Sequence, residues 1–120
     1  AYELYLRTSR LDLDDYNHEA DEGLHITSMA GTWMAIVEGM AGIRVFSDCI
    51  KMNPVIPRNW KQYRFQILVR NQPLEVRVSQ SECEIINKGN RDLELTIFDK
   101  PIHVQSGKTH IAQTAKNPIL

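Results

Sequence analysis

The sequence contains few cysteines and no excess of charge of either sign. Its 120 residues include 2 cysteines, Cys49 and Cys83. Their spacing is not that of a metal-binding or redox motif, and two cysteines are too few for a disulfide framework. We therefore expect free buried thiols in a reducing compartment, which favours a cytoplasmic protein. The 14 basic and 15 acidic residues give a formal net charge of -1. Surfaces that bind nucleic acid or anionic membranes show a basic excess, so the composition predicts neither partner.

The sequence also shows no secretory signal, internal repeat or low-complexity run. Residue 1 is alanine rather than methionine, and no basic segment followed by a short apolar run opens the chain. This start is the one expected of a piece cut from a longer protein. A hydrophobic content of 42% and a charged content of 24% are ordinary for a globular protein. The length corresponds to one domain or to parts of two domains.

One stretch, residues 23–43, is apolar on every face of a possible helix. It reads GLHITSMAGTWMAIVEGMAGI, and its ionisable side chains are His25 near the start and Glu38 near the end. A helix that is apolar all round is buried on all sides, yet residues 1–10 supply the one other helical segment. A membrane span would have to carry Glu38 and several hydroxyls through lipid, which is costly. We predict a buried core helix of a larger soluble structure.

The remaining sequence separates into helical and strand-like parts. Residues 11–22 are predicted to form an acidic connector between the two helices. After Gly42 the apolar residues alternate with period two, which is typical of strands. Strands are predicted at residues 43–46, 49–52, 63–69, 74–78, 83–86, 93–98, 102–104 and 110–112, with a hairpin turn at Asn71-Gln72. The fold class is therefore α+β, with helices to about residue 42 followed by strands that suggest a small antiparallel β-sandwich, and Trp60 is expected to pack the sandwich against the helices.

An acidic run, residues 12–15, is similar to the beginning of a calcium-binding loop. An EF-hand loop has glycine at its sixth position and a bidentate glutamate at its twelfth. Those positions are occupied by Asn17 and Gly23. The sequence therefore favours a solvated acidic loop over a calcium site.

Residues 18–22, HEADE, differ by one residue from the zinc-protease motif HExxH. Glu22 stands in place of the second histidine, and Gly23 would interrupt the helix that holds both ligands on one face. His18 and His25 with nearby carboxylates remain an alternative metal site. Because no complete ligand set is visible, we predict no metal.

His25 is the strongest candidate for a binding residue. We expect it one turn into the central helix, where free backbone N–H groups and the helix dipole attract anions. Thr27 and Ser28 add hydroxyl donors in the same turn. An imidazole at this position can donate to a phosphate, and its charge changes near neutral pH. The alternative is a core histidine whose ring bonds to a backbone carbonyl.

Two segments resemble one enzyme family. Residues 16–45, YNHEADEGLHITSMAGTWMAIVEGMAGIRV, closely resemble a segment near the C-terminus of glycoside hydrolase family 65 enzymes. The stretch NPVIPRNW at residues 53–60 resembles the N-P-x-[IL]-P-x-x-W segment that follows it in that family. The likeness runs from about residue 1 to residue 80. It implies that residues 1–45 are the last helices of an (α/α)6 barrel and that residues 46–120 form the C-terminal β-sandwich.

The resemblance also implies a reaction, the inverting phosphorolysis of maltose to β-glucose 1-phosphate and glucose. In this chemistry a carboxylic acid protonates the leaving oxygen while phosphate attacks from the opposite face. The family's general acid lies earlier in the barrel and matches none of Glu19, Glu22 and Glu38. No catalytic residue is therefore expected in this chain, which should be inactive by itself.

The implied binding residues and partners are specific. His25 matches the histidine of the family's phosphate cradle, and Thr27 and Ser28 are added because they follow it in the same turn. Inorganic phosphate is a substrate, and no cofactor is implied. The expected partners are the remainder of the barrel, a disaccharide and further copies of the enzyme. Kojibiose, nigerose or trehalose as the sugar, a family hydrolase that uses water, and a stand-alone β-sandwich interaction module stay open as alternatives.

Overall fold

The computed structural model describes residues 1–15, 18, 21 and 23–114. In this part of the chain, two helices precede eight strands, which confirms the α+β class. The helices are α1 (Tyr2–Asp14) and α2 (Ile26–Met34), and α2 continues directly into a π-helical segment (Ala35–Met40). The strands are β1 (Arg44–Val45), β2 (Ile50–Met52), β3 (Gln62–Val69), β4 (Gln72–Ser79), β5 (Glu82–Asn87), β6 (Leu93–Ile97), β7 (Lys100–Val104) and β8 (Thr109–Gln113).

Helix α1 is longer than its sequence predicts. The expected end at Arg10 is wrong, because residues 11–14 continue the helix and Asp15 terminates it in the left-handed conformation, φ 47°. The guanidinium of Arg10 bonds the Asp14 carboxylate at 2.7 Å, one helical turn on. Such i,i+4 pairs support a helix that an acidic composition alone would not predict. The acidic run therefore lies partly on a helix rather than wholly in a connector.

The central helix is shorter than predicted and changes its hydrogen-bonding pattern. It begins at Ile26, not at Gly23, whose φ of 98° lies outside the helical region. In the π-helical segment the amide of Ala41 donates to the carbonyl of Ile36 at 2.8 Å, five residues back. Helix α2 buries none of its residues within this chain, and its burial in a larger structure stays a prediction. The π-helical segment buries Ala35, Val37 and Met40.

The end of the π-helical segment is joined to the sandwich by backbone hydrogen bonds. The amide of Val55 donates to the carbonyl of Met40 at 2.8 Å, and that of Asn53 to the carbonyl of Ala41 at 3.2 Å. Gly42 has a φ of 64°, and a Cβ there would lie 3.0 Å from the carbonyl oxygen of Asn53. Glycine is therefore needed on both conformational and steric grounds where the helix turns into the first strand.

Two four-stranded sheets form the sandwich, ordered β1-β2-β6-β7 and β3-β4-β5-β8. Their inner faces enclose the core, in which Val76, Val78, Cys83 and Ile85 have no exposed surface. The expectation of a purely antiparallel sandwich needs one correction, because β2 and β6 pair in parallel. The intervening hairpin strands β3, β4 and β5 belong to the other sheet, so the chain crosses over between β2 and β6 and can return in the same direction.

The β3–β4 hairpin has the predicted register but a different turn. Phe65 pairs with Val76, and both side chains contribute to the core, Val76 fully and Phe65 at its edge. The turn residues are Arg70 and Asn71, with φ of 51° and 61°, rather than Asn71-Gln72. Two consecutive residues with positive φ form the type I′ turn that matches the twist of a two-residue hairpin. The predicted register is confirmed, and the turn lies one residue earlier.

Trp60 joins the helices to the sandwich, as predicted. Its ring contacts Tyr5 and Tyr2 of α1 edge-on, with centroid distances of 5.1 and 6.2 Å. On its other side it meets Tyr63 of β3 at 6.2 Å. Edge-to-face aromatic pairs contribute about 0.5–1.5 kcal/mol each beyond the area they bury. This four-ring cluster is confirmed as an anchor of the helices.

A buried carboxylate lies on the outer face of the β3–β4–β5 sheet. The side chain of Glu75 is 1% exposed and contacts the Lys88 ammonium, Gln66 Nε2 at 2.9 Å and Arg77 Nε at 2.7 Å. Hydrogen bonding, first of all from Lys88, lowers the pKa of Glu75 to about 2. A buried charge needs such partners to be tolerated.

The structure bears on two predictions, the burial of the cysteines and the absence of a membrane-spanning helix. Cys49 and Cys83 are both free. Cys83 is buried, as predicted, and burial raises the pKa of its thiol to about 12, whereas Cys49 is half-buried. Within the described residues, no helix has the length and apolar character that a membrane crossing requires.

Candidate phosphate-binding site

His25 lies immediately before α2 rather than one turn into it. As the N-cap residue it has extended backbone angles, φ -80° and ψ 96°. Its carbonyl accepts hydrogen bonds from the amides of Ser28 at 2.9 Å and Met29 at 3.2 Å. The expected position is therefore wrong by one turn. The observed N-cap position still places His25 at the positive end of the helix dipole. The backbone N–H groups of a first helical turn point toward this end.

The imidazole of His25 is held by a carboxylate from the other helix. Oδ1 of Asp12 lies 2.5 Å from Nδ1 of His25, and Oδ2 of the same carboxylate accepts the His25 backbone N–H at 3.1 Å. The side chain of His25 is 27% exposed and that of Asp12 is 17% exposed. The alternative of a ring bonded to a backbone carbonyl is therefore wrong for Nδ1. The sequence relates Asp12 to a calcium loop only and does not predict its pairing with His25.

The hydrogen bond to His25 is the main reason that the pKa of Asp12 lies below its usual value. Asp12 is therefore ionised near neutral pH, and an ionised carboxylate can accept hydrogen bonds but cannot donate them. The hydrogen between the two groups consequently resides on Nδ1 of His25. This assignment fixes the ring's tautomer through its partner, as is usual for histidines in functional sites.

Thr27 and Ser28 lie in the first turn of α2, as predicted. Thr27 is exposed and Ser28 is half-buried. The Ser28 carbonyl accepts a hydrogen bond from Thr32 Oγ1 at 2.9 Å. The structure thus brings His25 and both hydroxyl residues to one helix start, the end of a helix at which anions are favoured.

The metal alternatives gain no support from the described residues. His18 is exposed, with Nδ1 3.7 Å from the Asp15 carboxylate. Asn17, Glu19 and Glu22, which completed the two candidate motifs, lie outside the described residues. No group of three or more ligand-type side chains suitable for a metal ion occurs in the described part of the chain.

A groove of about 600 Å³ lies beyond the opposite end of α2 from His25. Trp33, Val37 and Glu38 form one wall, and residues 66–69 of β3 form another. The guanidinium of Arg44, which also lines it, donates to the carbonyls of Glu38 and Ile43. Because the π-helical segment separates it from His25, this groove is not part of the candidate phosphate site.

Comparison with known protein families identifies both parts of the chain. Residues 1–34 match the glycosyl hydrolase family 65 central catalytic domain, and residues 43–104 match the C-terminal domain of the same family. The chain belongs to glycoside hydrolase family 65. Maltose phosphorylase of Bacillus subtilis strain 168 is 42% identical over 105 residues, covering 88% of this chain and 14% of that protein.

Other family 65 members are similar over the same region. The α,α-trehalose phosphorylase of Geobacillus stearothermophilus is 37% identical over 100 residues, 83% of this chain and 13% of that protein. A solved structure described as a putative kojibiose phosphorylase from the human microbiome superimposes with a TM-score of 0.82 and 32% identity. That superposition covers 91% of this chain and 15% of the other. The chain spans about one-seventh of the length of the relatives it matches.

Proposed function

We propose that this chain is the C-terminal part of an inverting disaccharide phosphorylase that converts maltose and phosphate to β-glucose 1-phosphate and glucose. The observation that carries this proposal is the arrangement of His25, Thr27 and Ser28 at the start of α2 in a family 65 chain. Maltose is favoured over other sugars by the 42% identity to maltose phosphorylase of B. subtilis, against 37% and 32% for two trehalose phosphorylases. The enzyme is cytoplasmic, uses phosphate as a substrate and requires no cofactor.

Phosphate binding is the role proposed for the turn at His25. The imidazole and the hydroxyls of Thr27 and Ser28 are the proposed donors to phosphate oxygens, and the helix dipole favours the anion. Phosphate held there attacks the anomeric carbon opposite the leaving oxygen, in the place that water takes in an inverting hydrolase. A carboxylic acid elsewhere in the complete enzyme protonates the leaving group, so the 120-residue chain is inactive alone.

The exposed apolar side chains of the helices support a covering partner. Large hydrophobic residues of this surface are more than 45% exposed: Leu4, Leu13, Leu24, Ile26, Met29, Trp33 and Met34. So many large apolar side chains exposed on two neighbouring helices favour an interaction surface. We assign the remainder of the catalytic barrel as the partner, with the two helices closing the barrel and the strands from β1 onward forming the sandwich. The complete enzyme is a homo-oligomer.

The proposal is tested in the complete enzyme by His25→Ala. A hydrogen bond to a charged group contributes roughly 1.5–3 kcal/mol, so the Michaelis constant for phosphate should rise about 10- to 150-fold. The constant for maltose should change little. His18→Ala is the matched control, because His18 is exposed and lies outside the turn. An unchanged phosphate constant beside a large fall in melting temperature would contradict the phosphate role.

Two further assays test the reaction itself. With phosphate present, β-glucose 1-phosphate should be released faster from maltose than from trehalose, kojibiose or nigerose, and a different order would replace maltose in the proposal. Release of glucose when phosphate is omitted would identify a family hydrolase instead. Release of glucose 1-phosphate by the purified 120-residue chain would contradict the proposal that its general acid lies elsewhere.

A further inference from the structure

We propose that the groove beside the π-helical segment binds an extended segment of the catalytic barrel, which pairs as an added strand with the free edge of β3. This inference rests on the proposed function, because the segment belongs to the longer phosphorylase of which this chain is the C-terminal part. It concerns how the sandwich is attached to the barrel and is independent of the phosphate role of His25.

Strand β3 is an outermost strand with a long and regular free edge. It begins the sheet order β3-β4-β5-β8, and all eight of its residues pair with β4 in continuous register. Its sequence, QYRFQILV, contains neither proline nor lysine, and its one charged residue, Arg64, is not among the residues that line the groove. Natural sheets shorten, bulge, charge or cover an edge of this kind, because it pairs readily with other chain segments. The edge beside the groove therefore favours a covering strand in the complete protein.

The register of the hairpin identifies the backbone groups at this edge. The type I′ turn joins Val69 to Gln72, and the two residues that flank such a turn exchange backbone hydrogen bonds. Because bonded and non-bonded pairs alternate along an antiparallel ladder, the N–H and C=O groups of Gln66 and Leu68 point away from β4. Within the described residues, no backbone hydrogen bond outside the strand ladders involves either of them. Both residues line the groove.

A second free edge borders the same groove. The amide of Phe46 donates to the carbonyl of Cys49 at 2.8 Å, so the next pair along β1, Val45 with Ile50, is a non-bonded one. The N–H and C=O groups of Val45 therefore point away from β2, and Val45 lines the groove. Arg70 connects the ends of the two edges by donating to the carbonyl of Phe46 at 3.0 Å. Backbone donors and acceptors consequently border the groove on two sides.

The size and the lining of the groove fit a short extended segment. Its volume is about 600 Å³, and residues 66–69 along one wall span about 10–13 Å at the rise of a β-strand. A segment of about four residues can therefore lie beside them. The helical wall presents half-exposed Trp33 and buried Val37. In strand addition the backbone bonds provide affinity, and an apolar wall of this kind accepts alternate side chains of the added strand.

Two observations assign the added strand to the same enzyme. This chain spans about one-seventh of the length of its relatives, so the rest of such an enzyme is available to supply the segment. Trp33 belongs both to the groove wall and to the exposed apolar helix surface that is assigned to the barrel. The groove is therefore continuous with the surface that the barrel covers.

Amide hydrogen exchange tests the pairing. In the complete phosphorylase, the amides of Gln66 and Leu68 should exchange at least about 100-fold more slowly than in the 120-residue chain, because a paired amide must open before it exchanges. Ile111 is the matched control, since its amide points away from β5 at the opposite edge of the same sheet. Its side chain is 55% exposed, compared with 68% for Leu68. Equal exchange of Leu68 in the two proteins, or equal slowing of Leu68 and Ile111, would overturn the inference.

Proline substitution separates the backbone bond from the side-chain contact. Leu68→Pro removes the N–H that would donate to the added strand, whereas Leu68→Ala retains it. In the complete enzyme, Leu68→Pro should inactivate at a fixed elevated temperature about 5- to 30-fold faster than Leu68→Ala. In the isolated chain, where this N–H faces water, the unfolding rates of the two variants should agree within about 3-fold, because an edge strand tolerates proline at an outward position. The same ratio in both proteins would contradict the added strand.

Two further measurements distinguish other occupants of the edge. Slow exchange of Leu68 that is lost when the enzyme is diluted until its protomers separate would assign the edge to a second copy and overturn the inference. Slow exchange that is lost on deletion of residues 115–120 would assign it to that segment, with the same consequence. Failure of this inference is distinguishable from failure of the proposed function. Unchanged exchange at Leu68 overturns the added strand alone, whereas an unchanged phosphate constant in His25→Ala contradicts the phosphate role alone.

Discussion

Replacing Asn87 should destabilise the sandwich more than any comparable change at its surface. The side chain has no exposed area. Its Nδ2 donates to the carbonyls of Arg91 at 2.8 Å and Val104 at 3.0 Å, and its Oδ1 accepts the amide of Gly89 at 2.9 Å. One amide group therefore connects the end of β5, the turn that follows it and the end of β7. Its removal leaves three backbone groups without this partner.

The expected loss follows from these three bonds. A protein hydrogen bond contributes about 0.5–1.5 kcal/mol net, and a buried group left unpaired costs more than the average, so Asn87→Ala should lower the free energy of unfolding by roughly 2–4 kcal/mol. For a domain of this size the melting temperature should fall about 8–20 °C. Asn87→Asp keeps the acceptor but loses both donors, and should also destabilise.

The assay is urea unfolding followed by circular dichroism, with Asn90→Ala as the matched control. Asn90 is exposed and lies in the same turn, so its replacement should change the free energy of unfolding by less than about 0.5 kcal/mol. An unchanged slope with denaturant would show that the unfolded state is comparable in the two proteins. If Asn87→Ala were as mild as Asn90→Ala, the assignment of this network as a main stabiliser would be refuted.

Three further outcomes are expected from the described contacts. The pKa of Glu75 is lowered to about 2 in the folded state. The contribution of its ionised carboxylate to the free energy of unfolding should therefore be complete above about pH 4.5 and be lost toward pH 2. In Glu75→Gln, the free energy of unfolding should depend less on pH between these two values. In the isolated chain, Trp60→Ala should make residues 1–40 markedly more sensitive to limited proteolysis than the control Trp33→Ala, because Trp60 holds α1 to the sandwich. Equal digestion of the two variants would refute the role of Trp60 as an anchor. Thiol labelling of the native chain should reach half-buried Cys49 long before buried Cys83, whose pKa is raised to about 12, and equal rates would contradict the burial.

The features predicted well from the sequence are those encoded by local periodicity. Alternating apolar residues determine both strands of the β3–β4 hairpin and the faces they present to the core, so the Phe65–Val76 pairing followed from pattern alone. The parallel pairing of β2 with β6 did not, because β2 has three residues and so short a run carries no information on direction. The hairpin turn was misplaced by one residue because Arg70 carries no turn signal of its own, although it adopts a positive φ.

The residues of the candidate site differ in how far local sequence predicts their positions. His25, Thr27 and Ser28 are close together in the sequence at the start of an apolar helix, so their position could be predicted, and their phosphate role stays a prediction. Asp12 is 13 residues from His25, and the chain between them reverses direction. No periodicity relates two residues across such a connection. Their contact depends on the approach of two helices, which meet where Thr32 Oγ1 donates to Thr8 Oγ1 at 3.1 Å, and this approach is not encoded in either local sequence.

The number of residues in the π-helical segment affects how the His25 turn is oriented relative to the sandwich. Its far end is bonded to residues 53–55, and the other end of the same continuous helix is capped by His25. Deleting one residue within Ala35–Met40 would replace hydrogen bonds to the fifth residue back with the α-helical bonds to the fourth, and would change the path between these two ends. A substitution in this segment is therefore expected to be tolerated more readily than an insertion or a deletion. The orientation of the imidazole at one end depends on the attachment of the other end to the sandwich.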